Sequence, residues 1–212
     1  MKLYSAPVSP FAARVRLSIY RKGLNIEIVP PPEGGLKSDA FLSLNPMGQV
    51  PTLVLDSGVA IPESATILEY LEDIFPTPTL RPTNAEDLAR ARLFLRLPEF
   101  HVQSSLRTLL GMRNSASRNE EVIKTAMETL NKGLSYIDHY LSGDAWAVGD
   151  QPSIGDCALV PVLNAVSLVE SVYSQPHLIG QHTKLGAYWQ AAQSDEINAK
   201  VIAEQLAALP KM

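Results

Sequence analysis

Three short stretches of this 212-residue chain hold side chains whose types and spacing could do chemistry. The first is Ser9-Pro10-Phe11, followed by Ala12-Ala13-Arg14-Val15-Arg16-Leu17. A serine before a proline at a strand-to-helix junction reads as an N-cap with proline in the first helical position. The same geometry sets a hydroxyl beside unpaired N–H groups and the positive end of a helix dipole, where an anion such as a thiolate is stabilised. The second is Asn45-Pro46-Met47-Gly48-Gln49-Val50-Pro51-Thr52-Leu53, in which Pro51 opens a good strand and must lie at an edge or follow a cis bond. Val50 can then offer its own N–H and C=O to an extended peptide by strand addition, although a plain turn into an edge strand explains the segment equally well. In the third, Ile61 to Leu71, Ser64 fits a helix N-cap and Ala65, Leu68 and Leu71 can face a core. Glu63 places a carboxylate beside backbone N–H groups, a pairing able to hold the ammonium and carboxylate of one amino-acid head group.

The elements that must position these residues fall into two groups. Strand-like segments at Lys2–Ser5, Asn25–Val29, Thr52–Leu55 and Val59–Ile61 alternate with helical patterns at Phe11–Lys22 and Ser64–Phe75, which argues for an α/β domain. Asp56-Ser57-Gly58 joins the last two strands as a hairpin, so the four-stranded sheet is mixed. Eleven of the 16 prolines precede residue 83, and the stretch Phe75-Pro76-Thr77-Pro78-Thr79-Leu80-Arg81-Pro82 cannot be a continuous helix. Domains are therefore expected at 1–76 and 86–212, with 77–85 as a linker.

Beyond the linker the period is helical. Leu88, Leu95, Val102, Leu106 and Leu109 mark one long amphipathic helix kinked at Pro98, and Val122, Ala126, Leu130, Leu134, Ile137 and Leu141 mark another. On the first, His101, Ser105, Thr108 and Met112 follow spacings of four, three and four and could line a pocket, or could be ordinary polar and core positions. Ser153-Ile154-Gly155-Asp156 is a capping box opening a buried helix and is assigned no chemistry. Cys157 behind it reads as a small buried hydrophobe.

Composition excludes several functions. The net charge is −4 without a block of like charges, which disfavours nucleic-acid and anionic-membrane partners. The longest apolar run, Ala158 to Leu163, is interrupted by Pro161 and falls short of a membrane span of about 18 residues. The first residues lack a secretory pattern, and one cysteine permits no internal disulfide, so a cytoplasmic protein is expected. The four scattered histidines have no zinc-binding spacing, and no metal site is expected.

In order, and followed by a helical domain, these segments resemble the glutathione transferase family along the whole chain. The carriers are Ser-Pro-Phe with Arg-Val-Arg following, Asn-Pro-x-Gly-x-Val-Pro, Glu-Ser-x-x-Ile-Leu-x-Tyr-Leu and the capping box. The resemblance implies a thioredoxin-like N-terminal domain that binds glutathione and an all-helical C-terminal domain that completes a pocket for a small apolar electrophile. It implies that Ser9 is the catalytic serine, in a context similar to the tau and zeta classes. It also implies that Val50 before Pro51 pairs with the backbone of the glutathione cysteine, that Glu63 and Ser64 hold the γ-glutamyl end, and that Lys37 and Gln49 meet the glycyl carboxylate. Phe11 joins His101, Ser105, Thr108 and Met112 as expected electrophile contacts, and a homodimer is implied by the family.

Three other readings compete. Omega-like thiol exchange is disfavoured because Ser9 stands where those relatives have cysteine. A glutathione-dependent isomerase of the maleylacetoacetate or maleylpyruvate type fits the Asn-Pro-Met-x-Gln-Val-Pro stretch, but the zeta Ser-Ser-Cys motif is replaced by Ser9-Pro10-Phe11. A transferase-like binding or regulatory protein would have no need of Glu63 beside a helix start. Tyr4, on an alternating strand, is expected to be packed rather than catalytic.

Overall fold

The computed structural model describes residues 1–114, 118–143 and 145–209, which divide into two compact units, one of 1–80 with 196–209 and one of the described residues within 81–195. Unit 1 begins β1 (Lys2–Tyr4), α1 (Pro10–Arg21) and β2 (Glu27–Val29), continues through a single 3-10 turn and the short α2 (Asp39–Leu42), and ends β3 (Thr52–Val54), β4 (Ala60–Pro62) and α3 (Ser64–Ile74). The strands form one sheet in the order β2-β1-β3-β4, with β1 parallel to β2 and antiparallel to β3, and β3 antiparallel to β4. This is the mixed four-stranded sheet of a thioredoxin-like domain. The β3–β4 turn closes as its sequence requires: Leu55 N donates to Val59 O at 2.9 Å, and Gly58 adopts φ +87°.

Leu3, Val15, Ile19, Ile26, Leu53, Ile67 and Leu71 pack into the core of this unit. Leu68 is also fully buried, whereas Ala65 is half-buried. Every residue of α1 from Ala12 to Ile19 is buried. A helix buried all round must be covered on more than one side, and the second cover is α9 (Glu196–Ala207), which packs on α1. Composition predicts a helical domain over 86–212; residues 196–207 are helical, but Arg16, Tyr20 and Arg21 on α1 bond to Glu204 and Asn198 and gather them into unit 1. The stretch expected as linker is also anchored in part, because Leu80 is buried and its N–H donates to Glu72 Oε2 at 2.9 Å.

Unit 2 contains α4 (Ala85–His101), α5 (Gln103–Gly111), α6 (Glu120–Tyr140), α7 (Ile154–Tyr173) and α8 (Thr183–Ser194). Where one kinked helix was expected, α4 runs through Pro98 and stops at His101, and α5 restarts after Val102. The junction lies against α6 where Gly133 makes room: a Cβ there would collide with the His101 carbonyl oxygen. On α6 the buried stripe starts at Ile123, and Val122 is exposed.

Contrary to the expectation from uninterrupted runs, α7 is long and apolar enough to cross a membrane by length and composition; 78% of its apolar window is buried, which makes it the core helix of unit 2. The capping box forms: Gly155 N donates to Ser153 Oγ at 3.2 Å, and Ser153 N donates to Asp156 Oδ2 at 2.8 Å. Ala147 N and the Tyr188 hydroxyl donate to Asp156 Oδ1, so the box also ties down the preceding loop and α8. Burial pushes the Asp156 carboxyl up, and these donors oppose it. Cys157 is buried, as its surroundings in the sequence suggest.

Candidate functional site

The register of the sheet determines what can meet at its end. Tyr4 pairs with Thr52, and Thr52 pairs with Pro62. Neighbouring strands are about 4.8 Å apart, so the chain leaving β1, the chain entering β3 and the chain leaving β4 emerge side by side. Those three pieces lead to Ser9, come from Val50-Pro51 and lead to Glu63-Ser64. Segments separated by more than fifty residues thus share one edge of unit 1.

Ser9 is the N-cap of α1, with Pro10 in the first turn and φ −75°, ψ 119°. Its Oγ accepts from Ala12 N at 3.3 Å, which leaves the hydroxyl proton available to donate elsewhere. The residue is half-buried. Phe11, also half-buried, lies under the guanidinium of the fully buried Arg14, 4.5 Å from the ring centroid. Tyr4 is packed edge-on against Phe41 at 5.6 Å.

The loop into β3 is held by Asn45 and Thr52, whose residue types alone signal no such role. Buried Asn45 donates from Nδ2 to Gln49 O and to Thr52 Oγ1, each at 3.0 Å, and Thr52 Oγ1 donates to the same Gln49 carbonyl. Pro51 follows a cis bond, and β3 lies inside the sheet between β1 and β4. Of the two placements open to Pro51, the structure has the cis one. Among the described residues no hydrogen bond uses the backbone N–H or C=O of Val50. Gly48, at φ +62°, lies against Lys37: a Cβ on Gly48 would be 3.0 Å from Lys37 Nζ, so the exposed Lys37 is brought beside Gly48-Gln49.

At the third segment the cap is shifted by one residue. Ser64 is the first residue of α3 and is buried, and Glu63 is the N-cap. Glu63 adopts φ +69°, ψ 115°, and no side chain caps the first turn. A non-glycine residue at positive φ stores backbone strain of about 1–3 kcal/mol, a feature found at ligand clamps. An exposed carboxylate at an uncapped helix start offers an ammonium acceptor beside N–H groups suited to a carboxylate.

The expected electrophile contacts do not form one face. Phe11 belongs to unit 1, and the other four belong to unit 2. There, His101 ends α4 and packs edge-on against Tyr136 at 5.2 Å, while Met112 caps the end of α5. Ser105 and Thr108 do come together, in a groove of about 410 Å³ between α5 and α6 that Val122 and Thr125 also line. His101 lies on α4 and Ser105 and Thr108 lie on α5, beyond the break at Val102, so the spacing of one continuous helix does not apply.

Comparisons with known proteins assign both parts of the chain to one family. Residues 3–79 match the family model described as the glutathione S-transferase N-terminal domain, and residues 100–195 match that of the C-terminal domain. A maleylacetoacetate isomerase of Mus musculus is 35% identical, with 77% of this chain and 77% of the relative covered. A glutathione S-transferase of Dianthus caryophyllus is 33% identical over 78% of this chain and 76% of its own. The solved glutathione S-transferase of Methylobacterium radiotolerans, in complex with glutathione sulfonate, superposes with a TM-score of 0.77 at 25% identity, covering 95% of this chain and 93% of that one. With both domains matched in order, and two relatives spanning three quarters of either chain, the chain belongs to the glutathione S-transferase family.

Proposed function

We propose that this transferase binds glutathione across the end of the unit 1 sheet and that Ser9 donates its hydroxyl to the glutathione sulfur. What carries the reading is the register Tyr4–Thr52–Pro62, which delivers three chemically distinct groups to one edge. Val50 pairs with the cysteinyl backbone of the ligand through its unused N–H and C=O. Glu63 accepts from the γ-glutamyl ammonium, and the first turn of α3 at Ser64 donates to the adjoining carboxylate. Lys37 and Gln49 meet the glycyl carboxylate. Phe11, two residues after Ser9, gives the apolar electrophile its contact in unit 1. The protein acts in the cytoplasm as a homodimer; exposed Phe100 on α4, 65% accessible, supports a partner surface, and sedimentation equilibrium tests it.

The chemistry asked of Ser9 is modest. A thiol with a pKa of about 8.5 is about 3% ionised at pH 7, and lowering it by about two units, or about 2.7 kcal/mol, makes it about 76% thiolate. One hydroxyl donor and a helix dipole suffice for that. The test is a pH titration of thiolate absorbance for bound glutathione. Ionisation well below pH 8 in the wild type, returned toward about 8.5 in Ser9→Ala, is the expected result; an unchanged titration in Ser9→Ala sinks the reading.

A second reading, glutathione-dependent cis–trans isomerisation of a maleyl-type dicarboxylic acid, is favoured by the identity to maleylacetoacetate isomerase. Spectrophotometric loss of maleylacetoacetate in the presence of catalytic glutathione separates it from conjugation, which consumes glutathione stoichiometrically.

A further inference from the structure

Arg16 is 3% exposed and spends its guanidinium on the loop that leads to Ser9. Nη1 donates to Ser5 Oγ at 2.7 Å and to Ala6 O at 3.3 Å, and Nη2 donates to Pro7 O at 2.9 Å. The Ala6 carbonyl also accepts from Ser9 N at 3.0 Å, so Arg16 and Ser9 share one acceptor. The Nε of Arg16 donates to Glu204 Oε2 on α9 at 3.0 Å. The other oxygen of that carboxylate accepts the Tyr20 hydroxyl at 2.8 Å. A guanidinium is a rigid planar fork, so fixing its Nε edge fixes the direction of both Nη groups.

We infer that α9 is a positioning element for the reaction: Glu204 orients Arg16, and Arg16 holds Ser5, Ala6 and Pro7 so that the Ser9 hydroxyl is aimed at the bound sulfur. This rests on the role proposed for Ser9. Neither Arg16 nor Glu204 touches the ligand. Their effect is on the aim of a hydroxyl at the end of a short loop, where a displacement of about 1 Å is enough to lose a hydrogen bond. Without Glu204 the buried guanidinium keeps its carbonyl acceptors but loses its only carboxylate partner on α9 among the described residues, and the loop gains freedom. Binding of glutathione through Val50 and Glu63 does not pass through this couple.

The test uses the full chain with Glu204→Ala, Glu204→Gln and Lys200→Ala. Lys200 provides another α9–α1 contact, 3.6 Å over the Tyr20 ring, without reaching Arg16. Hydrogen exchange of the amides in residues 5–9 of the free protein reads the loop with no ligand present. Glu204→Ala is expected to speed it by about threefold or more. With glutathione bound, the thiol pKa is expected to rise by about one unit, while glutathione Kd near pH 5, where the thiol is protonated, stays within about twofold. Glu204→Gln, which keeps an acceptor for Arg16, is expected to recover part of both effects, and it carries the test if Glu204→Ala does not fold. Lys200→Ala is expected to match the wild type.

Unchanged exchange and thiol pKa in Glu204→Ala overturn the inference. So does an equal effect from Lys200→Ala, which would make α9 a general brace, or a parallel loss of glutathione binding and thermal stability. If the wild type itself leaves the bound thiol at its solution pKa, the role of Ser9 falls, and the exchange measurement alone decides whether α9 holds the loop.

Discussion

Lys22 Nζ lies 2.7 Å from Glu72 Oε1, and neither side chain reaches solvent. The pair closes the end of α1 against α3. It also captures the proline-rich stretch, because Lys22 donates to Pro78 O while Glu72 accepts from Thr79 Oγ1 and Leu80 N. Removing one partner leaves a buried charge alone, so Glu72→Leu should cost about 3–5 kcal/mol. The double variant Lys22→Met with Glu72→Leu should recover most of it, as measured by urea unfolding.

Glu63 sets function against stability. Its φ of +69° suits glycine, so Glu63→Gly should raise stability by about 1 kcal/mol while weakening glutathione binding. Calorimetric Kd and the unfolding midpoint of one variant should therefore move in opposite directions. Glu63→Gln, which keeps the strained backbone, should weaken binding without the gain in stability.

Gly133→Ala should destabilise the chain by about 1–3 kcal/mol. The added methyl would meet backbone, the His101 carbonyl, rather than a side chain that can swing away. Thermal unfolding reads the loss, and Gly111→Ala, whose Cβ would enter open space, is the control.

Burial, and then the neighbouring Glu204 carboxylate, push the Tyr20 hydroxyl up to about 12. The phenol is neutral when protonated, and its unfolded value is about 10. Between those two values the unfolded chain releases a proton that the folded chain keeps, so stability falls as pH rises through that window. Wild type should lose stability relative to Tyr20→Phe between pH 9 and about 11.5, and the two should run parallel below pH 9, as compared by urea midpoints.

Features made by near neighbours in the chain were readable from the residues alone. Ser9 before Pro10, the Asp56-Ser57-Gly58 turn and the Ser153–Asp156 box each depend on residues within a few positions of one another, where steric and capping rules operate. The cap at α3 lies one residue earlier than local preference places it, because a glutamate at positive φ runs against every local preference. The α6 stripe starts at Ile123 rather than Val122 for a geometric reason. Steps of four drift against a helix of 3.6 residues per turn, so Val122 sits roughly 80° from Leu130 around the axis and Ile123 only about 20°. Arg16 and Glu204 are 188 positions apart, and nothing in either neighbourhood signals the other. The end of α4 lies where the His101 carbonyl approaches Gly133, a relationship between two helices that no single sequence window contains.

Because α9 completes the unit that contains β1, the order of synthesis and the order of assembly run against each other. Ser9 leaves the ribosome well before the carboxylate that braces its loop, which follows Arg16 by 188 positions. A nascent chain released after residue 64 but before residue 204 carries every group proposed to touch glutathione and lacks the brace behind them, so such a product that folds would bind the ligand without turning it over at the full rate.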